Sequence, residues 1–267
     1  MSKMKRKFKR IVIGDVHGRW NELKDMYDRE KPDEVIILGD YFDSFDIDAY
    51  TQRDCYENII KLREEHLAKF GEGFHMLIGN HDMHYIDERF GRCSGWNPLT
   101  CSVANYVLCR DLQNGILKIV HVDETNDTIY SHAGVSSNWF YSWIKTDSLD
   151  DINTVGVNAL VFTYRDHGDS YGSSSWNSPL WIRPEGLRES PFKDIFDFEY
   201  SQVFGHTENE KPYHWTDCEW DNKAEFYGID GRMKYYLRET LNDQREIISR
   251  EIVYLDKELN KKMMKSK

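Results

Sequence analysis

Three short apolar runs, each ended by a glycine and then by polar residues, place the strongest constraint on how this chain can fold. The runs are residues 11–13 before Gly14, 35–38 before Gly39 and 76–78 before Gly79. Runs of this length are typical of buried strands. Between them, apolar residues recur at helical spacing in 20–27 and again in 55–70. This alternation predicts parallel strands with right-handed crossovers, which place the three turns side by side at one sheet edge.

The rest of the chain predicts further strands and one long loop. Strand-like segments occur at 116–122, 128–131, 202–204, 225–229 and 233–237. Residues 166–179 are rich in Gly and Ser, and they are expected to form a surface loop. The Lys-rich tail after Leu255 is expected to be a solvated helix or a frayed end. The sequence therefore predicts an α/β protein.

The composition fits one folded domain, residues 1–267, and excludes several classes of protein. With 40% hydrophobic and 30% charged residues, the chain can bury one sizeable core. A net charge of −11 argues against general nucleic-acid binding. No apolar run approaches the roughly 18 residues of a membrane helix, so neither a membrane span nor a signal peptide is expected. Five cysteines without a Cys-x-x-Cys pair predict reduced thiols and a cytoplasmic protein.

The polar clusters that follow the predicted strands contain residue types that bind divalent metals. They are GDVHG at 14–18, GDYFD at 39–43, GNHD at 79–82, SHAG at 131–134 and GHT at 205–207. A single histidine or aspartate after a strand is more often structural, as a cap or a satisfied imidazole. Packing alone, however, does not require so many of these residues at successive strand ends. Imidazole and carboxylate groups on glycine-flanked turns therefore predict a metal site.

This ordered set resembles the calcineurin-like metallophosphoesterases, in particular their phosphoprotein-phosphatase branch. The resemblance covers about residues 11–231, and it leaves 232–267 as C-terminal strands and tail. It implies a four-layer αββα sandwich with two mixed β-sheets and two divalent metal ions where the strands end. Mn²⁺ is the expected metal in vitro, with Fe or Zn²⁺ as alternatives. The implied metal ligands are Asp15, His17, Asp40, Asn80, His132 and His206, with Asp40 shared by both ions.

The resemblance also implies roles for three residues that do not bind metal. His81 matches the family's proton donor, and Asp43 matches the carboxylate that orients it. Residues 179–184 (PLWIRP) resemble a Trp-containing motif whose basic residue binds phosphate, which makes Arg183 the expected phosphate clamp. A guanidinium suits this role because it offers a planar charged fork.

One departure from the family pattern concerns a second phosphate-binding arginine. The family motif continues Asp-Arg-Gly, whereas Asp43 is followed here by Ser44 and Phe45. Arg53, Arg89 and Arg92 are candidate substitutes, of which Arg92 is preferred as a substrate-binding residue. The absence of arginine at position 44 bears on the substrate class and leaves the metal ligands unchanged.

Several other residues have less specific interpretations. His84 lies three positions beyond His81, and it is expected either to support the site or to lie on the surface. His66, His75, His121, His167 and His214 are interpreted as structural. Trp139 and Trp143, four residues apart, are expected to form one buried helix face, with a recognition surface as the alternative.

The expected reaction is metal-assisted hydrolysis of a phosphoester by a metal-bridging hydroxide. The leading hypothesis is a phosphomonoesterase of the Ser/Thr phosphoprotein phosphatase type, acting on a phosphorylated protein. The second is a hydrolase of diadenosine polyphosphates or other nucleotides, which the serine at position 44 and the GNHD motif favour. The third is a non-catalytic metal-binding scaffold. No membrane partner and no general nucleic-acid partner are expected.

Overall fold

In the first third of the chain, strands alternate with helices in the order that the sequence predicts. The structure is a computed structural model that describes residues 7–161, 172–219 and 222–256. Its strands are β1 (Phe8–Ile13), β2 (Glu34–Ile37), β3 (Phe74–Leu77), β4 (Leu117–Lys118), β5 (Val120–Asp123), β6 (Thr128–Ser131), β7 (Ser201–Phe204), β8 (Tyr213–Glu219), β9 (Asn222–Gly228), β10 (Tyr235–Leu241) and β11 (Ile247–Tyr254).

The α-helices lie mostly in the connections between strands. They are α1 (Trp20–Glu30), α2 (Ala49–Phe70), α3 (Asn80–Ile86), α4 (Pro98–Gln113), α5 (Ser137–Trp143), α6 (Val157–Leu160) and α7 (Pro184–Glu189). Asp48 is the N-cap of helix α2, and its side chain accepts hydrogen bonds from the amides of Tyr50 and Thr51. It ends at Gly71, which has the left-handed conformation that terminates many helices.

Both sheets contain parallel and antiparallel pairs. The first has the order β11-β10-β1-β2-β3-β4. Strands β1 to β4 are parallel neighbours, and β10 pairs antiparallel with both β1 and β11. The second has the order β5-β6-β7-β9-β8, in which β6, β7 and β9 are parallel. The carboxyl ends of β1, β2 and β3 therefore lie at one edge, as the sequence predicts.

Successive residues of a strand face opposite sides of its sheet, so the buried side chains form separate layers. Ile11 and Val35 face helices α1, α2 and α4 on one side of the first sheet. Val12 faces the second sheet and packs with Tyr130 and Val203. On the far side of the second sheet, Ile129 packs in a cluster that includes side chains of α5. The expected four-layer αββα sandwich with two mixed sheets is confirmed.

Several local expectations are wrong. The single strand expected at 116–122 is two strands, β4 and β5, which belong to different sheets. The expected strand at 233–237 begins only at Tyr235, because residues 231–234 form a turn. Trp139 is buried, but Trp143 is 47% exposed, so the two do not share a buried face.

The Gly- and Ser-rich segment is only partly described. Of the surface loop expected at 166–179, residues 166–171 lie outside the described residues. In the remainder, Ser175, Asn177 and Ser178 are buried and Trp176 is exposed, so this part is not a surface loop. The tail beyond residue 256 and His167 also lie outside the described residues. No helix in the described ranges has both the length and the apolar composition to span a bilayer.

Candidate metal centre

The predicted metal ligands come from turns at the carboxyl ends of strands in both sheets. Asp15 and Asp40 follow β1 and β2, and Asn80 is the first residue of α3, directly after β3. His132 follows β6 of the second sheet, and His206 follows β7. Because the two sheets pack face to face, these turns meet at one edge of the sandwich. All five side chains lie at this edge.

The backbone at the site is unusually rich in left-handed conformations. His17, Asp40, Asp43 and His206 have φ angles of 43°, 50°, 68° and 63°. Asp and His tolerate this region better than most residues, but it still has an energetic cost. Such conformations persist where the surrounding structure holds them, and they concentrate at functional sites. Here they coincide with four of the predicted site residues.

Two glycines allow the backbone to approach the buried carboxylates closely. A Cβ on Gly79 would lie 2.0 Å from Oδ1 of Asp40, and one on Gly205 would lie 2.2 Å from Oδ1 of Asp15. Amides one or two positions further along the chain bind these carboxylates: the His81 amide donates to Asp40 (2.8 Å) and the His206 amide to Asp15 (3.0 Å). Only glycine fits at these two positions without displacing a carboxylate.

Potential metal-binding atoms of these residues converge. Nε2 of His132 lies 3.4 Å from Oδ2 of Asp40, and Nε2 of His17 lies 3.9 Å from the same oxygen. Oδ1 of Asn80 lies 2.8 Å from Nε2 of His132 and 2.9 Å from Nδ1 of His206. Asp15, Asp40 and His132 form a group with ligand atoms within 4.8 Å of one another. The structure thus brings together all six predicted metal ligands.

Backbone carbonyls fix the orientation of two imidazoles. Nδ1 of His17 lies 2.6 Å from the carbonyl oxygen of Phe42, and Nδ1 of His132 lies 3.0 Å from that of Leu38. A carbonyl can only accept, so each Nδ1 donates a proton and, in the neutral ring, Nε2 presents its lone pair to the site. Burial, and then His81, lower the pKa of His17 to about 4, and burial lowers that of His132 to about 3. Both rings are therefore neutral near pH 7, the state that binds metals.

Among the residues that the structure describes, no lysine or arginine neutralises the carboxylates of Asp15 and Asp40. Burial, followed by Asp230, raises the pKa of Asp15 well above its usual range, and burial, followed by Asp15, does the same for Asp40. Within the described ranges, neither carboxylate has an ion pair with a lysine or arginine. Lone pairs of nitrogen and oxygen therefore face one another in a buried site. Divalent cations between them would remove this repulsion, so the residues fit the metal ions that the sequence predicts.

The predicted pair of His81 and Asp43 lies beside these ligands. Nδ1 of His81 is 2.9 Å from Oδ2 of Asp43, and the His81 ring is 5.5 Å from that of His17. Burial opposes ionisation of Asp43, but hydrogen bonds from His81 and His84 outweigh it and lower the pKa of the carboxyl. Asp43 is therefore an ionised acceptor that holds the Nδ1 edge of the His81 ring toward it.

Two residues missing from the predicted catalytic set, His84 and Tyr85, also bind Asp43. Nε2 of His84 lies 2.8 Å from Oδ2, and the Tyr85 hydroxyl donates to Oδ1. His84 is buried, so its alternative placement on the surface is wrong. The signal in the sequence was the spacing: both residues follow His81 by about one helical turn on α3.

The predicted phosphate-binding arginines have different surroundings. Arg183 places Nη1 3.5 Å from the hydroxyl of Thr207, directly after His206. The Arg92 guanidinium lies 3.6 Å from the centre of the Trp96 ring. At the position of the absent arginine, the Ser44 hydroxyl donates to Oδ1 of Asp46.

A family comparison decides which group of proteins this arrangement belongs to. The model of the calcineurin-like phosphoesterase family matches residues 8–230. The chain belongs to this family. The matched range includes strands β1 to β9 and every predicted metal ligand.

Two protein phosphatases are similar to this calcineurin-like phosphoesterase, one in part of its sequence and one in its fold. The serine/threonine-protein phosphatase PP1-delta of Caenorhabditis elegans is 27% identical over 123 residues, which cover 37% of each protein. The match thus spans little more than a third of that relative's length. A protein serine/threonine phosphatase from Saccharomyces cerevisiae, described as similar to human phosphatase PP5, shares the fold with a TM-score of 0.51. It is 12% identical, and the alignment covers 94% of this chain and 81% of that one.

Two further acidic residues of this phosphoesterase lie next to the ligands, and the sequence analysis did not assign them a role. Asp82 accepts hydrogen bonds from the amides of Tyr41 (2.8 Å) and Gly79 (3.0 Å), and burial raises its pKa to about 7. Asp230 is buried near Asp15, and burial raises its pKa to about 6. Asp82 thereby links the turn after β2 to the turn after β3. Asp230 adds negative charge beside the ligands, which favours cation binding.

Proposed function

We propose that this protein is a metal-dependent phosphomonoesterase of the Ser/Thr phosphoprotein phosphatase type, and that it uses two divalent ions. The observation that supports this most directly is the convergence of six metal-binding side chains next to the His81–Asp43 pair. A structural role for these residues would not explain why buried carboxylates remain without a cationic partner in the described part of the chain. The family match supports the same class of reaction.

The ligand set divides into two overlapping groups. Asp15, His17 and Asp40 would hold one ion, and Asp40, Asn80, His132 and His206 would hold the other. The mixture of nitrogen and oxygen donors suits Mn²⁺, Fe or Zn²⁺ better than Ca²⁺. When bound, such ions supply a nucleophile by lowering the pKa of water, and they polarise the phosphoryl oxygens.

The other residues of the site would bind the substrate and transfer a proton. The fixed charge of Arg183, beside His206, would bind a phosphoryl oxygen and stabilise charge in the transition state. His81 would protonate the departing alkoxide oxygen of a phosphoserine or phosphothreonine. Asp43, which accepts from Nδ1, would hold the ring so that Nε2 points to that oxygen, and it would stabilise the charged imidazolium.

A second candidate function is the hydrolysis of diadenosine polyphosphates or other nucleotides. Ser44 favours it, because a serine bonded to Asp46 stands where the family pattern has a phosphate-binding arginine. With one cation fewer, the site should prefer a monoester dianion over a diester less strongly. Arg92 stacks on Trp96, and it remains our proposed substitute for the arginine.

A hydrolysis panel with Mn²⁺ would separate these functions. Phosphoserine and phosphothreonine peptides, diadenosine tetraphosphate and cyclic nucleotides would be compared by kcat/KM at equal enzyme and metal. We expect the phosphopeptides to be the best substrates. A preference for the dinucleotide would select the second function, and bound metal without hydrolysis of any substrate would indicate a scaffold. Cys55, Cys93, Cys101 and Cys109 are free thiols, which supports the proposed cytoplasmic location.

A further inference from the structure

A second group of metal-binding side chains lies at the other end of β2 from Asp40. Nε2 of His75 is 3.3 Å from Oε1 of Glu34, and Nε2 of His121 is 3.9 Å from the same oxygen. The two imidazoles are stacked, with ring centres 3.8 Å apart. Both histidines have a structural interpretation from the sequence, and neither belongs to the phosphoesterase motifs.

The spacing of these atoms fits tetrahedral coordination. Four ligands at Zn–N and Zn–O distances of about 2.0–2.1 Å stand about 3.3–3.4 Å from one another. The His75–Glu34 distance already has this value, and the His121–Glu34 distance exceeds it by about half an ångström. The ligand atoms of all three residues lie within 4.8 Å of one another, and a rotation of the His121 ring out of its stack on His75 would direct both imidazoles at one ion.

The two oxygens of Glu34 have different partners. Oε2 accepts from Nε of Arg10 at 2.9 Å, and Nη1 of Arg245 lies 3.9 Å away from it. Arg10 is itself buried against Asp123 and Glu239, so its charge is shared among three carboxylates. This arrangement holds the Glu34 carboxylate in place and leaves Oε1 directed at the two imidazoles.

The cluster lines a cavity whose charged residues are mostly acidic. The cavity has a volume of about 490 Å³. Its acidic lining residues, besides Glu34, are Glu72, Asp123, Glu124 and Asp150, and its basic ones are Arg10 and Arg245. The excess of carboxylates favours a cation, and the open side leaves room for a water molecule as the fourth ligand.

We propose that Glu34, His75 and His121 bind one transition-metal ion, with Zn²⁺ the best match to two imidazoles and one carboxylate. Glu34 and His75 belong to β2 and β3 of the first sheet, whereas His121 belongs to β5 of the second. The ion would therefore join the two sheets at the end remote from the catalytic edge. It is a structural or regulatory site, and hydrolysis does not require it.

The test is a count of bound zinc in the full-length protein. Metal-stripped wild type and the double variant His75→Gln/His121→Gln are dialysed against Zn²⁺ at pH 7.5, and bound zinc is measured by elemental analysis. We expect the double variant to bind one ion fewer per chain than wild type, whatever number the catalytic edge holds. Its Mn²⁺-dependent hydrolysis of p-nitrophenyl phosphate should be unchanged. His214→Gln, an exposed histidine on β8, is the matched control and should bind as much zinc as wild type.

Thermal unfolding gives a second readout. An ion that binds only the folded chain stabilises it, so Zn²⁺ should raise Tm more in wild type and in His214→Gln than in either single variant, His75→Gln or His121→Gln. If the double variant does not fold, the single variants decide by their zinc content. Equal zinc content and an equal Tm rise in wild type and the single variants would overturn the proposal.

Discussion

Nδ1 of His81 lies 2.9 Å from Oδ2 of Asp43, and this carboxylate also binds His84 and Tyr85. The proposed proton donor is thus oriented by a carboxylate that is itself held by two residues of the same helix, α3. Because α3 begins at Asn80, a proposed metal ligand, the helix fixes the proton donor relative to the metals. The geometry of proton transfer is therefore built into one short helix.

Replacement of the proton donor should depend on the leaving group. A general acid contributes about 10²–10⁴-fold when the departing oxygen is strongly basic, as in phosphoserine. His81→Asn should therefore lower kcat/KM on a phosphoserine peptide by about this factor and affect p-nitrophenyl phosphate far less. His214→Asn is the matched control and should not change either value. Equal losses on the two substrates would exclude His81 from this role.

Loss of the Tyr85 hydroxyl should also reduce hydrolysis of the phosphoserine peptide selectively, but by less than replacement of His81. Tyr85→Phe removes one hydrogen bond to Asp43, so the carboxylate holds the His81 ring less firmly. We expect about a tenfold loss of kcat/KM on the phosphoserine peptide and little change on p-nitrophenyl phosphate. Tyr106→Phe, at an exposed position of α4, serves as the control. Unchanged peptide hydrolysis in Tyr85→Phe would show that Asp43 does not need this support.

An arginine at position 44 should shift selectivity toward monoesters. A monoester dianion has about one negative charge more than a diester, so it gains more from a second fixed cation. Ser44→Arg should raise the ratio of kcat/KM for p-nitrophenyl phosphate to that for bis-p-nitrophenyl phosphate at equal Mn²⁺. An unchanged ratio would mean that the side chain does not face the substrate, or that another arginine already fills the role.

The variant Arg92→Ala separates these two explanations. If Arg92 binds the phosphate in place of the missing arginine, monoester hydrolysis should collapse in this variant. If Arg92 only stacks on Trp96, the monoester rate should stay close to that of wild type.

Glu30 should make stability depend on pH away from the site. Burial opposes its ionisation, but hydrogen bonds from Tyr236 and Lys9 and the charge of Arg238 outweigh it and lower the pKa of Glu30 below its usual 4.5. Its stabilising contribution is thus complete above about pH 4.5, and it is lost as the pH falls through the lower pKa of the folded state. Glu30→Gln should cost about 1.5–3 kcal/mol at pH 7.

The role of Glu30 is tested by the pH dependence of the difference in unfolding free energy between wild type and Glu30→Gln. Urea unfolding of metal-stripped wild type and Glu30→Gln would be compared from pH 7 down to pH 4. The difference between their unfolding free energies should shrink toward the acid end of this range. A difference that stays constant with pH would mean that Glu30 has the same pKa in the folded and unfolded states.

The sequence predicted the strands that lead to the site because their signals are local. Each of β1, β2 and β3 contains most of a short apolar run that leads to a glycine, and the residues of these runs are buried. Strands β8 and β11 were missed because they lie at sheet edges, where exposed polar residues replace the apolar pattern. Helix α4 was missed because its buried stripe includes the polar residues Thr100 and Asp111, whose partners include the capping residue Asn97 and, from α2, Tyr56.

The difference between local sequence signals and tertiary contacts also explains which site residues were predicted. The six proposed metal ligands lie in motifs with glycine neighbours, so their positions were evident from the chain itself. Asp230 contributes through a contact with Asp15, more than 200 positions away, which no local pattern encodes. His75 and His121 belong to strands of different sheets, and only the packing of those sheets brings them to Glu34.

The most direct test of the account is the dependence of hydrolysis on two ions that share Asp40. Mn²⁺ binding and p-nitrophenyl phosphate hydrolysis would be measured on metal-stripped protein in the His75→Gln/His121→Gln background, so that the second cluster does not contribute. We predict no hydrolysis without metal, full activity at two Mn²⁺ per chain, and no activity in Asp40→Asn, which lacks the shared carboxylate. Activity in the metal-stripped protein, full activity with fewer than one ion per chain, or an active Asp40→Asn variant would contradict the account.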